Sequence, residues 1–259
     1  MLKFLARGEK MNILNKLYCK SNLWFSIAWI IAYCLLMSVG DGISATLGVE
    51  KAVSLPVALC MMVILLLFLK KNQLFSTYGL RSPDASVSSM LFYIPVMIML
   101  TANTWSGLSL NYSVLESILY ILTMFCVGFL EEVIFRGLLF GAMAKDSPGA
   151  AIIVSSLTFG IGHIINLING SGAELIPNIL QIIYATAAGF MFVMIYLKSG
   201  SLVGCILTHS VFNALSVFQR EPGLEMQIVT CILLTIITGG YGFYLALSMK
   251  KEKKEGKEL

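Results

Sequence analysis

Eight stretches of this chain run with almost no charge for about the length of a membrane crossing, roughly 23–40, 54–69, 88–104, 115–144, 149–169, 176–197, 201–219 and 226–248. A bilayer span needs about 20 mostly apolar residues. Backbone N–H and C=O groups find no water in lipid, so such runs must close their hydrogen bonds internally as helices. They are continuously apolar and do not alternate, which argues against a membrane barrel. Composition agrees. Only 12% of the 259 residues are charged and 58% are hydrophobic, against roughly 25% charged in a soluble domain. A disordered chain is therefore excluded and a water-soluble one strongly disfavoured, and the expected fold is an all-α, polytopic protein of the cell membrane with about eight transmembrane helices.

The placement of Lys and Arg predicts the topology. With eight spans, sixteen of the eighteen basic residues fall on the side that holds both termini, and only Lys51 and Arg220 fall on the other. Basic loops stay in the cytoplasm, so both termini are expected there. The basic residues gather at the chain ends and in short gaps, forming no surface that would read nucleic acid. The tail after Ser248 reads as a solvated topology anchor, drawn to anionic lipid. The first 22 residues lack an apolar core, so no cleavable signal peptide is expected. Six cysteines contain no CxxC pair and read as small hydrophobic residues. Two N-x-S sequons, at Asn111 and Asn169, fall on the outer side. No linker or repeat divides the chain, so a single integral-membrane domain over 1–259 is expected, with residues 113–218 carrying the chemistry. The sequence holds no signal of oligomeric state.

Ionisable groups inside a span are costly, about 2.5–3.5 kcal/mol each on insertion scales, and so point to function. Here they cluster. The fourth run contains Glu131, Glu132 and Arg136, the fifth His163, and the seventh His209; these are the chain's two histidines. Glu132 and Arg136, four apart, share a helix face and can pair. Glu131 points about 100° away, free to face a cavity as a general base. His163 can bind the same water, with Phe159 packed on its ring and Asn166 orienting it. His209 and Asn213 share a face four apart and can donate to the oxyanion of a tetrahedral intermediate. The reaction class is amide hydrolysis by activated water.

Three motifs in order carry a family resemblance: Glu131-Glu132-Val133-Ile134-Phe135-Arg136, Phe159 to His163, and His209 to Asn213. They resemble the EExxxR, FxxxH and HxxxN motifs of the CPBP family, the CAAX-protease and bacteriocin-processing (abortive-infection) intramembrane proteases. The resemblance covers about residues 113–218. It implies an eight-helix fold with a glutamate-based peptidase site, in which Glu131 activates water with His163, Glu132 supports it, and His209 with Asn213 forms the oxyanion hole. Members are often classed as metalloproteases. Two histidines and a glutamate can ligate zinc, so Glu131, His163 and His209 are the candidate ligands if a metal is used; no HExxH is present. The expected substrate is a membrane-embedded or lipidated (prenylated, in part of the family) peptide or protein entering laterally between helices from the bilayer. Two other classes compete: a non-catalytic bacteriocin-immunity or peptide-binding protein, and a small proton-coupled transporter whose Glu and His form a relay.

Overall fold

The computed structural model describes residues 12–84, 93–169 and 172–255. The beginning of the third apolar run, Gly170 and Ser171 of the second sequon, the first eleven residues and the last four lie outside the described residues. The described residues are helical, in ten α-helices: α1 (Ile13–Lys20), α2 (Asn22–Leu47), α3 (Ser54–Lys71), α4 (Ile94–Thr101), α5 (Val114–Glu131), α6 (Phe140–Met143), α7 (Pro148–Gly162), α8 (Leu175–Ser199), α9 (Val203–Leu215) and α10 (Leu224–Lys254). Local sequence starts and stops them. Asn12, Ser21, Ser113 and Ser147 accept the free N–H groups of the first turns, Glu116 completes a capping box with Ser113, and Pro148 sits where its missing N–H is harmless. Gly48 and Gly200 end α2 and α8 in the left-handed conformation that glycine adopts without strain.

Six helical segments are long and apolar enough to cross a membrane, including the continuous stretch Val114–Met143. The third and seventh runs give shorter apolar helices, Ile94–Thr104 and Val203–Phe218. The latter is about 25 Å long against roughly 30 Å of hydrocarbon. Side chains such as Leu35, Val39, Ile236 and Phe243 face outward, with Ile236 64% exposed. Such a belt of apolar surface suits lipid rather than water.

Hydrogen bonds between loops define two ends. Asp84 N–H donates to Ser199 O and Leu202 N–H to Gly79 O, while the Tyr18 and Tyr78 hydroxyls meet at 2.8 Å. This end carries Lys70, Lys71, Arg81, Lys145, Lys198, Lys250, Lys251, Lys253 and Lys254. At the opposite end Ser109 N–H donates to Phe218 O and Arg220 N–H to Gly107 O, and Glu50 N–H donates to the Glu116 carboxylate. Lys51 lies there too, 2.9 Å from Asp41 and 3.3 Å from Glu50. Burial presses its ammonium toward a lower pKa, but the two carboxylates outweigh that and hold it above the ordinary lysine value. Helix α9 runs from the first end to the second. The sequence count needs one correction: Arg136 belongs to neither end, because it is fully buried in mid-bundle.

Helices α5, α7, α8 and α9 are drawn together at small residues. A Cβ on Gly128 would sit 2.8 Å from Ser210 N, and one on Gly160 would sit 2.8 Å from Ile182 O. Only glycine lets these backbones approach so closely, the device membrane helices use where lipid supplies no hydrophobic drive. Two clusters of buried side chains result, one around α2, α3 and α5, the other around α4, α8, α9 and α10. The polar residues of the motifs lie along the seam between them.

Candidate active site

The fourth run is one helix by sequence periodicity. In the structure it changes character at the motif: α5 ends at Glu131, and Glu132–Leu139 is a π-helix before α6 resumes. A π-turn bonds i to i+5 and leaves a local surplus of carbonyl capacity, a feature found often at functional sites. Ser155 of α7 meets that need by donating to the Phe135 carbonyl at 2.9 Å.

Glu132 and Arg136 both lie on this turn, at 0% exposure, with Arg136 Nη1 3.1 Å from Glu132 Oε1. The contact is an ion pair that is not aligned along an N–H bond. Aromatic faces complete the seat of the guanidinium: its carbon lies 3.9 Å from the Phe159 ring centre and 5.6 Å from that of Phe192. Phe159 belongs to one core cluster and Phe192 to the other. Arg136 therefore binds the two halves through cation–π contacts as well as through charge.

His209 stands on the other side of Glu132. Its Nδ1 is 2.8 Å from Glu132 Oε1, and its Nε2 is 3.4 Å from Glu131 Oε2. The ring is stacked on Phe192 and edge-on to Phe159. Spacing alone leaves His209 free to act beside Asn213; the structure engages both its ring nitrogens with carboxylates. Glu131 lies one residue from Glu132 in a different setting. Its side chain is 13% exposed and lines a cavity of about 490 Å³. Its Oε1 accepts a 2.7 Å hydrogen bond from the Tyr33 hydroxyl on α2.

His163 closes α7 and opens a 3-10 turn over His163–Leu167. Its Nδ1 is 3.0 Å from the Phe159 carbonyl. A carbonyl only accepts, so in the neutral ring Nδ1 carries the hydrogen and Nε2 the lone pair. Phe159 meets the ring edge-on at 5.3 Å. Asn178 on α8 donates to the His163 backbone carbonyl, fixing the end of α7. Asn166 donates to Gln181 and accepts from Asn169. Glu131, His163 and Asn213 line the large cavity together, and His163, His209 and Asn213 also line a smaller chamber of about 50 Å³ beyond it.

Among the described residues no three His, Cys, Asp or Glu side chains converge as ligands; His209 is held between two carboxylates and His163 by the Phe159 carbonyl of its own helix.

Tyr33, Asn178, Gln181 and Phe192 escaped the sequence reading. Tyr33 sits in an apolar run 98 residues before its partner, and nothing near it marks it out. Phe192 looks like any aromatic on a buried helix.

Residues 113–215 match the family model described as type II CAAX prenyl endopeptidase Rce1-like. The match runs from the cap of α5 to the end of α9 and includes every residue of the three motifs. No curated protein and no solved structure matches the chain. Six apolar membrane-length helices make the chain a multi-pass integral membrane protein, and its residues 113–215 are similar to the Rce1-like protease family, consistent with the CPBP resemblance.

Proposed function

We propose that the protein is an intramembrane endopeptidase in which Glu131 activates water against a peptide bond, without an acyl-enzyme. One observation carries the reading: two adjacent glutamates have opposite surroundings, one sealed in an ion pair and one facing a cavity beside the unprotonated nitrogen of a histidine. A carboxylate and an imidazole on one cavity can hold a water between them, and the carboxylate can take its proton.

The proton balance is simple. Water loses a proton to Glu131 as its oxygen bonds to the carbonyl carbon. Once protonated, Glu131 attracts His209 less, and the Nε2–H of a protonated His209 turns to the new oxyanion together with the Asn213 amide. Collapse of the intermediate breaks the C–N bond, and Glu131 returns the proton to the amine. Glu132, Arg136 and the two phenylalanines keep His209 in place. No step needs a metal. Asn166 acts further out, on the wall of the cavity.

The same reading takes 1–259 as one integral-membrane domain with eight crossings, α4 and α9 included, and both termini cytoplasmic. The substrate is a membrane-embedded or lipidated peptide or protein. Wild type and Glu131→Gln, in lipid nanodiscs with a mixture of prenylated and unprenylated membrane peptides, test the activity by mass spectrometry of the products. Cleavage by wild type alone is expected. Equal cleavage by both would remove the mechanism.

A further inference from the structure

The large cavity and the small chamber meet at the reacting groups. Three residues common to both linings carry side-chain N–H groups: His163 from the end of α7, Gln181 from α8 and Asn213 from α9. The mechanism above uses His163 and Asn213, and leaves Gln181 without a role. The rest of that shared wall is mainly apolar, as at Phe212 and Leu234.

A one-way chain of amides sets which end of Gln181 faces the open space. Asn169 donates to Asn166 Oδ1 at 3.3 Å, and Asn166 Nδ2 donates to Gln181 Oε1 at 3.1 Å. Gln181 is held by its oxygen and presents its NH2 group. Among the described residues Gln181 Nε2 meets no acceptor, and it is not sealed within the bundle. Asn178, one turn earlier on α8, differs: its Nδ2 is engaged by the His163 carbonyl at 2.9 Å. An amide N–H that faces water is satisfied, but one covered by a ligand that accepts nothing from it is left at a penalty. An isoprenyl chain or an aliphatic side chain offers no acceptor. A peptide main chain offers a carbonyl at every residue, about 3.3 Å apart along an extended segment.

We propose that Gln181 is a substrate-binding residue that donates from Nε2 to a backbone carbonyl next to the scissile one, and that Asn166 is a positioning residue that aims it. The main chain of the substrate, and not its lipid or its side chains, then lies against α8 where the two cavities meet. The scissile carbonyl itself stays with His209 and Asn213. This deepens the peptidase reading and rests on it.

The test uses wild type, Gln181→Met and Asn166→Ala in lipid nanodiscs, with the prenylated and unprenylated membrane peptides of the cleavage assay. Methionine keeps the length of the side chain and removes its donor. For a cleaved peptide, Gln181→Met should lower kcat/KM about three- to tenfold, the range of one neutral hydrogen bond. The same peptide is then made with one backbone carbonyl at a time, on either side of the scissile bond, replaced by a thiocarbonyl, a weaker acceptor. At one position the replacement should slow wild type by a similar factor and leave Gln181→Met unchanged. Asn166→Ala should lose about two- to threefold by itself, and nothing further in the Gln181→Met background. A Gln181→Met loss that is the same for every thio-peptide would make Gln181 a packing residue and overturn the inference, as would no loss at all. Should Gln181→Met yield no folded protein, Gln181→Glu takes its place, since it keeps the bond from Asn166 and removes the donor. If wild type cleaves none of the peptides, the peptidase reading fails by itself. Anisotropy of the same peptides carrying a fluorophore, against empty nanodiscs, then decides whether Gln181 holds a main chain at all. Binding weakened about three- to tenfold by Gln181→Met would uphold that contact, and unchanged or absent binding would overturn it.

Discussion

Glu131 and Glu132 are neighbours in sequence, yet they occupy two different chemical regions. Around Glu132 the protein is sealed: Arg136 at 0% exposure, His209 at 2.8 Å, and two aromatic rings enclosing the charges. Around Glu131 it is open: a tyrosine hydroxyl on one oxygen and a cavity beside it. The first region has the form of structure and the second of chemistry. In the proposed mechanism the sealed carboxylate lowers no barrier itself; it orients the histidine that the open one faces.

The comparison breaks most sharply at Glu131. Glu131→Gln keeps shape and the Tyr33 contact but removes the proposed base, so turnover should fall about 10²–10⁴-fold, with elution profile and melting temperature unchanged. A comparable loss of melting temperature would make Glu131 a structural residue like its neighbour. Arg136→Ala should do the reverse. It strands Glu132 in an apolar pocket and removes the cation between Phe159 and Phe192, which should destabilise the fold by about 3–5 kcal/mol. Yield of monodisperse protein and its unfolding temperature are the readouts. Normal stability with lost cleavage would move Arg136 into the chemistry.

A smaller effect should come from packing. Gly160→Ala would place a methyl 2.8 Å from the Ile182 carbonyl, where α7 crosses α8. Overpacking of this kind costs about 1–3 kcal/mol. Because Gly160 lies one turn from His163, the substitution should lower stability and activity together; activity unchanged at reduced stability would mean that the His163 position tolerates a shift of α7.

How much of this could be read from the chain follows from where each signal lives. Apolar runs and buried charges are local, and each of the eight runs has a described helix within it. The three motifs are also local, and their residues line one seam. The π-turn is not announced locally, and the Phe135 carbonyl within it is met by Ser155 from another helix. Length and composition mark six of the helices as able to cross a membrane, and leave Ile94–Thr104 and Val203–Phe218 as shorter apolar helices. Counting Arg136 as a loop cation followed from charge without depth. The pairing of His209 with both glutamates needed the crossing of α5 and α9 at Gly128, a contact between residues 82 positions apart (Gly128 with Ser210) that no periodicity announces.

Tyr33 gives the finest test of the two regions, because it belongs to the open one and yet is itself buried at 8% exposure. Its hydroxyl holds Glu131 Oε1 and so leaves Oε2 to face His209 and the cavity. Tyr33→Phe removes one oxygen and retains the ring in the core, so the fold should lose little. The carboxylate loses a hydrogen bond worth about 0.5–1.5 kcal/mol and with it a fixed rotamer. The loss should appear in kcat as a fall of about two- to tenfold, since the base is misplaced in the transition state, with KM nearly unchanged. The same substitution in the Glu131→Gln background should change the residual rate far less, because there is no base left to position. Equal losses in both backgrounds would show that Tyr33 acts through packing, and that the open region is held by the shape of α2 rather than by this hydrogen bond.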